Sequence, residues 1–164
     1  MTPLDFMIRT VVIGVTATIV FDLWNLLLHR VLQTPNPDWG LLGRWVRHAG
    51  HGVLMHRTIR EARAFPGEAR IGWLAHYVTG VAFAALLLLA AGPDWARNPT
   101  LIPALAAGLA TLIPAWFLLM PAFGHGFAAS RSPIANKIRT LNIVGHLVLG
   151  LGFYAGALLS AALH

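Results

Sequence analysis

The chain contains no cysteine. Disulfides, thiolate chemistry and cysteine-ligated metal are therefore excluded. Charge is scarce as well. Only 11% of the residues are Asp, Glu, Lys or Arg, whereas soluble domains run at about a quarter. A water-soluble globular domain is thus excluded. The long apolar runs show no polar alternation and are roughly twice as long as a barrel strand, which excludes a transmembrane β-barrel. No nucleophile elbow, phosphate-binding glycine loop, HExxH helix or carboxylate pair is present. The chain therefore reads as a non-enzyme sooner than as an enzyme, and the question stays open.

Hydrocarbon dominates what remains. The chain is 57% hydrophobic, with a mean hydropathy of +0.66. Four apolar runs stand out, at residues 11–28, 71–91, 101–123 and 141–163. A helix needs about 20 apolar residues to cross the hydrocarbon core, so each run can span. The expected fold is an all-α integral membrane protein, one four-helix transmembrane domain over residues 1–164. The first run carries its positive charges after it and has no small-x-small cleavage site, so it is expected to be a retained span.

The net charge of +6 could suggest nucleic acid. No soluble domain is large enough to present it, so nucleic acid is rejected as a partner. The charges instead set topology. Arg30, Arg44, Arg47, Arg57, Arg60, Arg63, Arg70, Arg131, Lys137 and Arg139 fall in the two connections between spans one and two and spans three and four. Arg9 and Arg97 fall on the other side. This bias puts both large connections in the cytoplasm and both termini on the non-cytoplasmic side of a cell inner membrane.

The first connection starts with "TPNPDW" (Thr34 to Trp39), a break and a helix start with Asn36 or Asp38 as cap. Trp39, Leu42, Val46 and Ala49 follow at helical spacing, while Arg44, Arg47 and His51 share another face. That pattern predicts a cytoplasmic amphipathic helix lying at the lipid interface. "FPGE" (Phe65 to Glu68) reads as a turn into span two, and "GPDWARNPT" (Gly92 to Thr100) as a short turn on the far side. Pro114, in the middle of span three, should free the carbonyl of Ala110 and kink the helix. The chain also hints at an internal repeat. "HYVTGVAFAALLL" (His76 to Leu88) and "HLVLGLGFYAGAL" (His146 to Leu158) share histidine, glycine, phenylalanine and alanine at the same offsets. A duplicated helical hairpin would produce this, with the glycines allowing close helix approach.

The stretch "IVFDLWNLLLHR" (Ile19 to Arg30) places Asp22 inside hydrocarbon. Asp22 lies eight residues before Arg30, His76 six after Arg70 and His146 seven after Arg139. At helical rise all three sit roughly 9 to 12 Å below the cytoplasmic edge. Ionisable groups facing lipid are costly, so each should turn inward. Asp22, His76 and His146 are the expected cluster, with Asn25 and Tyr77 beside it. His56 and His125 are candidates for its entrance. Four readings remain at this point. They are a small-ligand or proton- or ion-linked binding or transport site, a structural accessory subunit of a membrane complex, a metal- or haem-dependent membrane oxidoreductase, and a hydrogen-bond cluster that only fixes helix register. Two histidines with one carboxylate suit a first-row metal, and His48, His51 and His56 offer a further metal-compatible spacing. The cofactor, any metal and any homo-oligomer or complex partner beyond the lipid bilayer stay undetermined.

Six segments carry a family resemblance: "FDLW" (Phe21 to Trp24), "GRW" (Gly43 to Trp45), "PGE" (Pro66 to Glu68), "GWLAHY" (Gly72 to Tyr77), "AASRSP" (Ala128 to Pro133) and "GHLVLGLGFY" (Gly145 to Tyr154). In these the chain resembles small four-span bacterial inner-membrane proteins classed as a domain of unknown function. The resemblance implies that Asp22, His56, His76 and His146 belong to the family pattern. It implies a small residue at the position of His125, so His125 departs from it. It implies no activity.

Overall fold

A computed structural model describes residues 1–163. All regular structure among the described residues is helical. Four helices are long and apolar enough to cross a membrane: α1 (Pro3–Leu32), α3 (Glu68–Arg97), α4 (Leu101–Ala122) and α5 (Ala135–Ala162). A shorter helix, α2 (Trp39–Ala49), lies between the first two. The protein is an all-α, multi-pass membrane protein.

The helices outrun the apolar runs that predicted them. α1 starts at Pro3, capped by the Thr2 hydroxyl accepting from the Asp5 amide at 3.1 Å. It continues past Arg30 to a left-handed Gln33. α5 starts six residues before Leu141. Hydropathy marks where side chains meet hydrocarbon, whereas helical bonding continues into the polar boundary at no penalty. On the far side, Gly92 takes φ 83° and ψ 173°. That conformation suits glycine alone, and Pro93 follows, so the helix breaks at Gly92 before continuing to Arg97.

The expected kink at Pro114 takes a specific form. Residues Ala115–Leu119 make a wide π turn, in which the Met120 amide bonds back to the Ala115 carbonyl. The turn sits between Pro114 and Pro121, two residues with no amide proton to give. Widening by one residue keeps the helix continuous where hydrogen bonds are lost.

The chain forms two compact units, and α3, α4 and α5 each contribute to both. The first comprises Met1–Asn36, Tyr77–Thr111 and the chain from Val144 on. Its core includes Ile13, Ala17, Ala84, Leu88, Ala104, Phe153 and Ala157. Lipid offers no hydrophobic drive between helices, so close backbone approach must hold them. Small residues supply it. Gly14 on α1 meets Gly80 on α3, and Gly108 on α4 meets Gly150 on α5. Gly152 and Gly156 of α5 lie against Ala17 and Ile13 of α1. A Cβ at Gly80 would run into the Thr18 hydroxyl, and one at any of the other five would press into a neighbouring backbone. The two crossings also match in position: Gly80 and Gly150 are the glycines four residues after His76 and His146. At each crossing a threonine donates back to the glycine carbonyl, Thr18 to Gly14 at 2.8 Å and Thr111 to Gly108 at 2.6 Å. At the far end the buried Arg9 bonds to Asp5 at 2.8 Å and to the Ala96 carbonyl at 3.1 Å. Large side chains such as Leu89 and Ile102 point outward, 70% and 79% exposed, as lipid-facing residues must.

The second unit comprises Pro37–His76 and Leu112–Ile143. Asp38 caps α2, accepting from the Gly40 amide at 3.1 Å. Its inward residues are Leu41, Gly43 and Arg44. This corrects the sequence-based face, which put Arg44 on the polar side. Arg44 turns inward because Glu68 waits there. Gly43 and Gly72 sit so close to the backbones of Glu68 and Trp39 that no side chain fits at either position. The connection from His56 to Ala62 packs on the end of α4, with the Ile59 amide bonded to the Phe123 carbonyl at 3.2 Å. Gly124, at φ +92°, lets the chain turn against the Arg57 carbonyl.

Candidate functional site

The first unit carries polar side chains from all four long helices. On α1, Phe21, Asp22, Trp24 and Asn25 fall within little more than one turn. The Tyr77 hydroxyl donates to Asp22 Oδ2 at 3.1 Å. The sequence put His76 and His146 first as partners of Asp22, with Tyr77 beside the group. The carboxylate thus has a donor inside the apolar region. Asn25 turns the other way: its amide donates to the Phe21 carbonyl of its own helix at 2.9 Å.

His146 is positioned by α4. Its Nδ1 lies against the hydroxyl of Thr111, which in turn donates to the Gly108 carbonyl. A carbonyl can only accept, so the one hydroxyl proton goes to Gly108. Thr111 must then accept from His146, which fixes the Nδ1–H tautomer and leaves Nε2 as an acceptor. The ring also lies edge-on to Phe21, with centroids 5.9 Å apart. Sequence reasoning missed Thr111. The available signal was a hydroxyl inside an apolar run, three residues after a glycine.

Trp24 adds a second feature that the depth argument did not weigh. Its indole Nε1–H is buried and has no acceptor among the described residues. On α5, Gly145 lies along that edge, where an added Cβ would lie 3.9 Å from Nε1.

His76 belongs to the second unit. Its ring stacks on Trp39 with centroids 3.7 Å apart and a 19° interplanar angle. Trp73 stands edge-on at 6.0 Å. The Gly43–Gly72 approach brings α2 close enough for this stacking. Beside it, Arg44 binds Glu68 through Nε at 2.9 Å and Nη2 at 2.7 Å. Its Nη1 donates to the carbonyls of Ile59, Arg60 and Ala62 at 3.2, 3.0 and 3.1 Å. The bond to Glu68 raises the pKa of Arg44 further, against a desolvation effect that lowers it. The "GRW", "PGE" and "GWLAHY" segments thus meet in one structural lock.

Of the two entrance candidates, His56 bonds to His48, with Nε2 and Nδ1 2.9 Å apart. His125 is exposed. Partial burial pushes its imidazole below the usual histidine range, and the charge of Arg60 adds to the shift. Among the described residues no three of His, Cys, Asp or Glu converge as a metal ion would require.

Residues 11–160 match the model of a family described as protein of unknown function (DUF2938). The chain belongs to that family. No curated protein and no solved structure matches it.

Proposed function

We propose that this member of a membrane family of unknown function binds a small ligand, with linked proton movement, at the polar group formed by Asp22, Tyr77, Trp24 and His146. The observation that carries the reading is the buried indole N–H of Trp24. A buried donor without a partner costs about 1–3 kcal/mol, and in hydrocarbon no water relieves it. An acceptor on a bound molecule would. The Nε2 lone pair of His146 and the Asp22 carboxylate offer complementary acceptors. The basic asymmetry orients the chain with both termini on the non-cytoplasmic side of an inner membrane.

The test is native mass spectrometry on protein released from nanodiscs. Wild type should retain a small molecule that Trp24→Phe and Asp22→Asn each lose while remaining folded. If wild type carries nothing and Trp24→Phe unfolds at the same temperature as wild type, the indole has no ligand to meet. The accessory-subunit reading would then stand. It is favoured by the Asn25 amide and the His146 Nδ1, which are satisfied by the protein itself.

A further inference from the structure

The second unit holds an arrangement that the proposed binding site does not use. His48, on α2, and His56, on the connection after it, face each other with Nδ1 and Nε2 2.9 Å apart. Each outer nitrogen faces a backbone carbonyl. His48 Nε2 lies 3.0 Å from the Arg63 oxygen, and His56 Nδ1 lies 3.3 Å from the Ala122 oxygen. The order along this line is carbonyl, His48, His56, carbonyl.

Proton counting decides what the line can hold. A carbonyl only accepts, so both outer nitrogens must carry hydrogen. Two neutral imidazoles have two protons in total. If both sit outside, two bare lone pairs point at each other across 2.9 Å. If one sits between the rings, one outer lone pair faces a carbonyl oxygen. With four protons, two N–H groups collide in the middle. Three protons satisfy all three bonds. Two imidazoles with three protons carry one positive charge.

From this we infer that His48 and His56 form a proton-binding site, holding one proton between them as a singly charged imidazole–imidazolium pair. A metal ion is the other cation that could lie between inner lone pairs, since backbone carbonyls often orient metal-bound histidines. The geometry favours the proton. Two nitrogens at about 2.0–2.1 Å from a tetrahedral zinc stand about 3.3 Å apart, whereas 2.9 Å is the length of an N–H···N bond. No third His, Asp or Glu among the described residues joins the pair.

The surroundings are compatible with one charge and hostile to two. The carboxylate of Glu68 is electrostatically coupled to His48, but it is already gripped by Arg44. Arg44, Arg47 and His51 accompany His48 on or beside α2, Arg57 adjoins His56, and Arg63 supplies one of the carbonyls. His125 is the titratable residue on the α4 side, which has no acid between residues 112 and 127.

The proton also serves as a latch. The His56 amide bonds to the Ala122 carbonyl at 2.9 Å, and the Ile59 amide to Phe123. With the proton present, the ring bonds reinforce this seam between the connection and the end of α4. Loss of the proton to water leaves two neutral rings and forfeits one of the three bonds. The seam is therefore tighter while the pair holds its one shared proton than after that proton is lost.

The experiment is nitrogen NMR on full-length protein labelled with 15N-histidine, assigned through the backbone, between about pH 5.5 and pH 9. Around neutral pH, His48 Nε2 and His56 Nδ1 should both show fully protonated shifts, while the inner pair shows one proton shared between two nitrogens. Raising the pH should remove a single proton from the pair and speed amide exchange at His56 and Ile59 relative to their intrinsic rates. Two rings that titrate independently, or two neutral tautomers at neutral pH, would overturn the inference. So would stoichiometric binding of added zinc that shifts both inner nitrogens, because the site would then be a metal centre. His56→Gln, if it folds, should abolish the pH dependence of exchange at Ile59. A pH dependence unchanged in that variant also overturns it.

Discussion

Arg44 and Glu68 stand 24 residues apart, joined by a two-pronged bond between guanidinium and carboxylate. The same guanidinium holds a single turn of the connection through the carbonyls of Ile59, Arg60 and Ala62. One side chain thus ties α2, the connection and the start of α3 together.

Removing it should be costly. Arg44→Ala strands a part-buried carboxylate and three carbonyls; breaking a fully buried pair costs about 3–5 kcal/mol, and the partial solvation here brings the cost below that. Arg44→Lys should recover only part, since an ammonium cannot match the planar fork. Thermal unfolding in detergent should rank wild type above Lys and Lys above Ala. Equal stability of Lys and wild type would mean that the fork geometry contributes nothing.

A methyl group at Gly72 should act on His76 without touching it. Gly72→Ala drives a Cβ into the carbonyl of Trp39, which must move α2 away. The stacking of Trp39 on His76 should then be lost, seen as a change in tryptophan emission and near-ultraviolet dichroism. Gly43→Ala, pressed against the Glu68 carbonyl, should give the same signature. An unchanged spectrum in both variants would show that the crossing can relax around a methyl.

Thr111 should control the tautomer of His146. In Thr111→Val the hydroxyl is gone, so nothing selects Nδ1–H, and the 15N spectrum of His146 should shift toward a mixture. Stability should fall by about 1–3 kcal/mol, the usual cost of a buried polar group losing its partner. Thr111→Ser should retain both. Retention of the Nδ1–H tautomer in the valine variant would transfer that role to another group.

Topology can be read directly, because the chain has no cysteine of its own. Single cysteines at Ser130 and at Asn98, both exposed, should differ in intact cells. An impermeant thiol reagent should label Asn98→Cys and spare Ser130→Cys. The reverse pattern would invert the chain in the membrane.

His125 gives a pH prediction. Burial, then the charge of Arg60, lower its proton affinity in the folded protein. Unfolded chain binds that proton more readily, so the contribution to stability is present above the ordinary histidine value of about 6.5 and declines as the pH falls below it. The side chain is exposed, so the effect is small. Arg60→Gln should move the His125 titration part of the way back up, with burial holding the remainder. A titration unmoved by Arg60→Gln would leave burial as the whole cause.

The fold class was legible in the sequence. Apolar run length fixes how often the chain can cross a bilayer, and that arithmetic needs no contacts. The helix break at Gly92, the Asp38 cap and the disturbance near Pro114 were legible for the same reason, since each depends on the local backbone alone. So was family membership, carried by short segments spread along the chain. Depth reckoning from the charged boundaries put Asp22, His76 and His146 at one level with Tyr77 beside them, and the structure bonds Tyr77 to Asp22.

What only the tertiary structure decided is direction and partnership. Periodicity put Arg44 on the polar face of α2, and packing turned it inward because a carboxylate 24 residues later lies across a glycine–glycine approach. Depth named His146 but not Thr111, because the rotation of one helix against another is set by side-chain volumes at the crossing. Spacing grouped His48, His51 and His56, and the structure set His48 against His56 between two carbonyls. A sequence records which groups can accept or donate. Which of them come within three ångströms depends on how glycines, threonines and aromatic rings let the helices approach.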